Sequence, residues 1–299
     1  MKTKKWIIAA ICFILSGCII FTCIMNIAKW DFTILDTTEY KVIKSDIEQE
    51  FKNISINTNE ANIVFMKDDT KCSVLSKFPS VMEYTVIVQA ETLKIEIKDT
   101  RKWYERLSLF SFKEPRISVA LPQDKYDLLI INTSTGDIDI PKHFTFDNVD
   151  IKTSTGDINC QASVTNDLKI AVSTGQTTLE NISAGNIELK ASTGDTYLTN
   201  VNCNSLISSA NTGDIELENV DAGKRLSITR STGDIEFERC DADEIIVNTD
   251  TGDVEGSLLS SKNFTCNTDT GKVDIPTTTE GGNCEITSNT GDIEIEIID

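Results

Sequence analysis

Seven aspartates recur at near-constant spacing: Asp137, Asp157, Asp195, Asp214, Asp234, Asp253 and Asp292 each follow a Thr-Gly pair directly. The glycines of that pair stand at 136, 156, 175, 194, 213, 233, 252, 271 and 291, every 19 or 20 residues. Gln176 and Lys272 take the place of Asp in two copies. Two chemistries fit such a file of carboxylates. One is turn chemistry: Gly supplies a positive φ, while Ser, Thr and Asp bond nearby backbone groups. The other is a cation ladder, with Ca²⁺ as the only cofactor the pattern admits. Against the second, Ca²⁺ takes about six to eight oxygens, and the nine-residue calcium motif of other solenoids is missing. Three residues after the Gly stand Asp139, Glu216, Glu236, Glu255, Asp274 and Glu294. Odd offsets from the Gly share one side of a strand. One exposed face thus gathers both acidic series, as a solvated surface, a divalent-cation trap or a face for a basic partner.

Other chemistry has little to work with. The single His143 follows Pro141-Lys142 in a turn, with no Ser or Cys constellation around it, and leaves no room for a multi-His metal site. Cys12, Cys18 and Cys23 lie in an apolar N-terminal stretch; Cys72, Cys160, Cys203, Cys240, Cys266 and Cys284 lie beyond it. Cys266 and Cys284 are two residues out of step between coils, a Cα separation of about 8 Å, beyond disulfide reach. Buried free thiols are expected, and no Cys-x-x-Cys occurs. Parallel solenoids do host sugar-cleaving carboxylate pairs. Here the repeat accounts for each carboxylate, so no enzyme is expected and no catalytic residue is assigned. A net charge of −19 excludes nucleic acid as a partner.

The elements that position these residues follow from the flanks. Apolar residues fall seven and five before each Gly and two and four after it, as in Leu226, Ile228, Ile235 and Phe237. That period of two means strands with one buried face. A coil of 19–20 residues cannot bury its own apolar face, and stacking like strand on like strand does. A propeller blade needs about 40 residues. The fold class is all-β: a parallel β-solenoid of about 19–20-residue coils, preceded by one N-terminal transmembrane helix. Residues 129–299 form the regular Thr-Gly-Asp coils, and 46–128 form irregular β-coils with an inserted loop near 101–113. Consecutive coils are expected to stack in chain order, with Glu294, Glu296 and Asp299 charging the last strand against edge pairing.

The first 45 residues divide into a cytoplasmic tail (1–5), a transmembrane helix (6–28) and a linker (29–45). Lys2, Lys4 and Lys5 precede the 23 uncharged residues 6–28, and a bilayer core needs about 20 helical ones. The positive-inside rule puts the N-terminus in the cytoplasm and the domain outside. Two rival readings stay open: a lipoprotein, since Leu15-Ser16-Gly17-Cys18 resembles a lipobox with Cys18 acylated, and a cleaved signal. All three place the domain outside the cytoplasmic membrane.

The basic N-terminus and single span precede Trp30-Asp31-Phe32, Thr38-Glu39-Tyr40 and Phe51-Lys52-Asn53-Ile54-Ser55-Ile56. Ala120-Leu121-Pro122 with Tyr126, and the Ser-Thr-Gly-Asp coils, complete the set. Together they resemble the putative-adhesin domain family of bacterial envelope proteins, which takes in LiaG-like and YvlB-like β-repeat proteins. The resemblance covers nearly all of the chain. It implies a β-solenoid outside the membrane, no established activity and no catalytic residues, with some relatives encoded beside envelope-stress genes. The expected function is a membrane-anchored, non-catalytic binding, adhesion-like or structural module of the cell envelope, with a protein or glycan partner. The alternative is an accessory or sensor of an envelope-stress response acting through 41–128; a polysaccharide-acting enzyme ranks third. The departures Gln176, Lys272 and Gly256 interrupt the file of repeats.

Overall fold

A computed structural model describes residues 2–27, 29–30, 39–100, 114–278 and 280–298. The expected loop near 101–113, the motif residues 31–38 and Asp299 lie outside them. Helix Lys2–Ile27 contains an 18-residue window, Ala10–Ile27, of mean hydropathy 2.3. It is long and apolar enough to cross a membrane.

The rest is a β-solenoid. Each Thr-Gly corner joins two strands, and both pair in parallel with their equivalents in neighbouring coils. The register is column-true: Leu206 faces Leu226, which faces Ile245, and Ile215 faces Ile235, which faces Val254. The inward columns read from the sequence form one core, with Leu168, Leu198, Leu226 and Ile235 fully buried. The third corner also repeats. Asn181, Asn200 and Asn219 share φ values of 52–56°. This left-handed conformation suits Asn, and their amides bond from coil to coil at 2.9 and 3.2 Å.

The Thr-Gly corner is set by backbone contact. Gly213 has φ 128°, and a Cβ built on it would lie 2.3 Å from the carbonyl oxygen of Gly194. The same holds up the file, with Gly156 over Gly136 and Gly233 over Gly213. Any other residue there would both strain the backbone and push two coils apart.

Stacking does not follow chain order at either end, which corrects the expectation of a sequential stack. Near the N-terminus, Asn53–Thr58 lies between Thr92–Lys98 and Lys125–Thr135. The parallel strands Thr92–Lys98 and Arg116–Leu121 are therefore the outermost of the coils, although they come second in the chain. Antiparallel strands close that end: Cys72–Pro79 beside Arg116–Leu121, Tyr40–Ile47 beside Cys72–Pro79, and Glu83–Gln89 beside Thr92–Lys98. Tyr40–Ile47 thus enters the sheet from within the stretch read as linker. Phe51 stacks on Tyr126 and Tyr126 on Phe146, with ring centroids 5.7 and 6.1 Å apart.

At the other end, Glu244–Thr251 pairs with Gly282–Thr290, which pairs on its far side with Lys262–Thr270. The chain's last coil is inserted beneath the one before it. Glu294 and Glu296 therefore sit in an interior strand, and the Gly271 coil ends the stack. Local chemistry allows the detour. Gly281, at φ 114°, and Gly282 pass so close to Ser261 and Asp243 that a Cβ would meet their carbonyl oxygens at 1.8 and 2.1 Å. Lys262 opens the outer coil, 2% exposed, and its ammonium is held by the Asp241 carboxylate, the Ala242 carbonyl and the Ser260 hydroxyl. This tether spans the inserted coil and fixes the gap it fills.

Gly213→Ala is expected to cost about 3 kcal/mol, the strained φ and the carbonyl contact acting together. Gly223→Ala, whose Cβ would have nothing nearer than 3.3 Å, is expected to cost about 1 kcal/mol. Urea unfolding followed by far-ultraviolet circular dichroism separates them; equal losses would remove close approach as the cause.

Candidate functional site

The seven aspartates form one file along the stack, and each carboxylate has a backbone partner. Oδ1 of Asp137 accepts the N–H of Asp157 at 3.0 Å, and Oδ1 of Asp157 accepts that of Gln176 at 2.8 Å. The second run is unbroken: Asp195 accepts from Asp214, Asp214 from Asp234, Asp234 from Asp253 and Asp253 from Asp292, at 2.7–3.0 Å. Asn62 opens the ladder by accepting from Asp137 at 3.0 Å, and Asp292 closes it by accepting the N–H of Lys272 at 2.8 Å. The rule is that each side chain serves the next coil's amide. Among the departures, Gln176 breaks the ladder, because its longer side chain turns to the Thr178 hydroxyl instead. Lys272 does not break it. The inserted Gly291 coil moves Lys272 to the end of the stack, where no described coil follows to need a carboxylate. Gly256 lies opposite Phe237, with φ 131° and no room for a Cβ.

Most of these aspartates are exposed, with Asp195 half-buried. Among the described residues, no group of three or more His, Cys, Asp or Glu side chains converges as a metal site.

The outward column three residues past the Gly is the second acidic feature. Glu216, Glu236, Glu255, Glu294 and Asp274 stand in direct register on successive strands, with Glu218 opposite Glu238 beside them. Strand spacing is about 4.8 Å, and like charges so placed repel. None is drawn into an ion pair among the described residues. The face before the corner differs: Lys152 pairs with Asp150 at 2.9 Å and Lys190 with Glu188 at 2.5 Å. Chain reversal at the corner therefore separates a locally neutral face from a net acidic one. Asp139 lies in the same column farther down, continued by Asn159, Thr178 and Tyr197.

Polar groups are also buried away from these columns. Arg230 occupies an inward column and is 2% exposed. Nη2 donates to the Ser208 hydroxyl at 3.0 Å and Nη1 to the Thr229 carbonyl at 3.1 Å. Burial pulls its pKa down to about 10. The sequence signal was available, since Arg replaces Ala210 and Thr249 of the adjoining coils. A cleft of about 390 Å³ beside Lys262 is lined by Asp221, Asp241, Asp243, Ser260 and Glu280. Cys72, Cys160, Cys203, Cys240 and Cys284 are buried free thiols, and Cys266 is half-buried. Burial pushes Cys203 and Cys240 up to about 12 and Cys266 up to about 11. Exposed His143 stands apart from all of these.

A corner-stacked β-solenoid with a carboxylate–amide ladder, closed at one end by antiparallel strands, defines the class. The family model Toastrack DUF4097 matches residues 51–242 and 185–299, and the chain belongs to that family. Among solved structures it is similar to a "putative adhesin" of Bacteroides fragilis, at 18% identity and TM-score 0.50, covering 86% of this chain and 97% of that one. It is also similar to a "putative lipid binding protein" of Parabacteroides distasonis, at 12% identity and TM-score 0.51, covering 87% and 98%. Both likenesses concern the fold. Comparison with curated proteins finds no match.

Asp234→Asn keeps the Oδ1 acceptor, so its stability should match the parent, whereas Asp234→Ala should lose about 1 kcal/mol. Thermal melts with and without Ca²⁺ separate ladder from ion site, because bound ligand raises the melting temperature. A Ca²⁺-dependent rise abolished by Asp234→Asn would overturn the purely structural role. Iodoacetamide under native conditions should modify Cys266 well before Cys203 or Cys240, read by mass spectrometry of peptides, since the thiolate is the reacting form.

Proposed function

We propose that the chain is a non-catalytic binding module of the bacterial cell envelope. Its N-terminal helix holds it as a single-pass protein, with the solenoid outside, and its acidic face meets a cationic protein or glycan partner. The observation that carries this reading is the in-register file of Glu216, Glu236, Glu255, Glu294 and Asp274. The fold tolerates its repulsion, although the other face shows that neutralising partners two residues away are readily placed. A basic partner relieves that repulsion on binding, and such contacts act on association rate and specificity. The basic Lys2, Lys4 and Lys5, ahead of the apolar window Ala10–Ile27, support the orientation. The name "putative adhesin" given to the similar structure from Bacteroides fragilis agrees with an external binding role. The Asp ladder is the scaffold of this face, with Oδ1 engaged by backbone along its length.

The test uses the full chain in detergent over a poly-lysine surface. Binding should weaken as ionic strength rises. Replacing Glu216, Glu236, Glu255 and Glu294 by Gln should weaken it about tenfold, with unfolding unchanged or improved. Replacing Asp150 and Glu188 should leave binding at or above the parent level. Equal loss from both sets would show that net charge, not this face, is recognised. Protease added to intact cells should remove the solenoid; protection would overturn the external orientation.

A further inference from the structure

The inward columns of the regular coils are buried throughout, with one localised exception. Phe264, Cys266 and Ile275 are half-buried, and Val273 is 41% exposed. All four belong to the Gly271 coil, the outermost one at this end. Lys262–Thr270 pairs only with Gly282–Thr290, and Val273–Asp274 only with Ile293–Ile297. Among the described residues nothing pairs with their outer edges. The opposite end is closed by antiparallel strands, and its Tyr40–Ile47 edge carries Lys41, Lys44 and Asp46. By contrast Asn263, Phe264, Thr265, Cys266, Asn267 and Thr268 hold no charge. An uncharged, extended edge over an open core is what natural sheets otherwise shield.

We propose that this tip joins the same tip of a second copy of the chain, with Lys262–Thr270 pairing antiparallel to itself about a two-fold axis at Cys266. The register is self-complementary. Cys266 meets Cys266, Phe264 meets Thr268, and Thr265 meets Asn267, so inward residues face inward ones and outward residues outward ones. Asp269 falls opposite neutral Asn263, so no like charges oppose within the strand pair. A two-fold axis normal to the sheet keeps both interiors on one side, and the two open cores become continuous. This is an isologous contact, which closes after two copies.

Parallel continuation by another chain's coil fits less well. Every rung but the one above Gln176 rests on a carboxylate or amide oxygen of the underlying coil, and Lys272 presents none. Antiparallel pairing requires no such rung. The contact does not rest on the acidic-face reading, whose test residues Glu216, Glu236, Glu255 and Glu294 lie in other coils. The joined stack would carry its two N-terminal helices at opposite ends.

The experiment measures the mass of the detergent-solubilised full chain by light scattering over a concentration series. The parent should approach twice the single-chain protein mass, and the double variant Thr265→Lys with Asn267→Lys should remain at the single-chain mass. Both replaced side chains are exposed, and circular dichroism and urea midpoints should match the parent. A parent that stays at single-chain mass at every concentration overturns the proposal. So does a pair whose mass is unaffected by the edge lysines, because it must form elsewhere, as through the helices.

Discussion

The structure rests on one backbone contact, the carbonyl oxygen of each corner glycine lying where a side chain of the next glycine would be. It brings successive coils to strand-pairing distance at the point where the chain reverses. From it follow the absence of a side chain, the positive φ and the amide that each preceding carboxylate caps. A coil longer or shorter by more than a residue would take the glycine out of its file. The constancy of the 19- or 20-residue interval is thus a consequence of vertical registry, not of any requirement within one coil.

The same contact explains the character of the ends. An interior coil is stabilised by neighbours on both sides, so a terminal coil must find another partner or leave its core open. At the N-terminal end the chain spends antiparallel strands and a cluster of aromatic rings on closure. At the other end it reverses stacking order, placing a coil with a complete ladder in the interior and one lacking the carboxylate outermost. The buried ammonium of Lys262, with three oxygen partners, holds the detour open. A buried cation with its partners removed is strongly destabilising, which ties this crossover to the integrity of both terminal coils.

A solenoid so built presents long columns of like residues. Carboxylates that look like ligands in the sequence are divided by the fold into two kinds. Those next to the glycine are engaged by amides of the following coil, and those two residues further on face solvent without a counter-charge. The face proposed for recognition is therefore an extended one.

Much was legible from the residues. The period of two, the Thr-Gly interval and the inward columns were sufficient for the β-solenoid, its coil length and its core, because each is a local consequence of strand geometry repeated many times. The position of the acidic columns on one face followed from the same parity. What the sequence could not disclose was which coil lies on which. Parallel pairing joins strands through backbone groups that every residue carries, so residues 262–274 could pair as well with 244–258 as with 282–297. Only the passage opened by Gly281-Gly282 and the reach of Lys262 to Asp241 decided the order. That order made Lys272 the end of the ladder instead of a gap in it, and moved Glu294 inside the stack. The 40–47 strand was hidden for the same reason: its partner, Cys72–Pro79, is distant in the chain, and pairing is settled only once the coils are stacked.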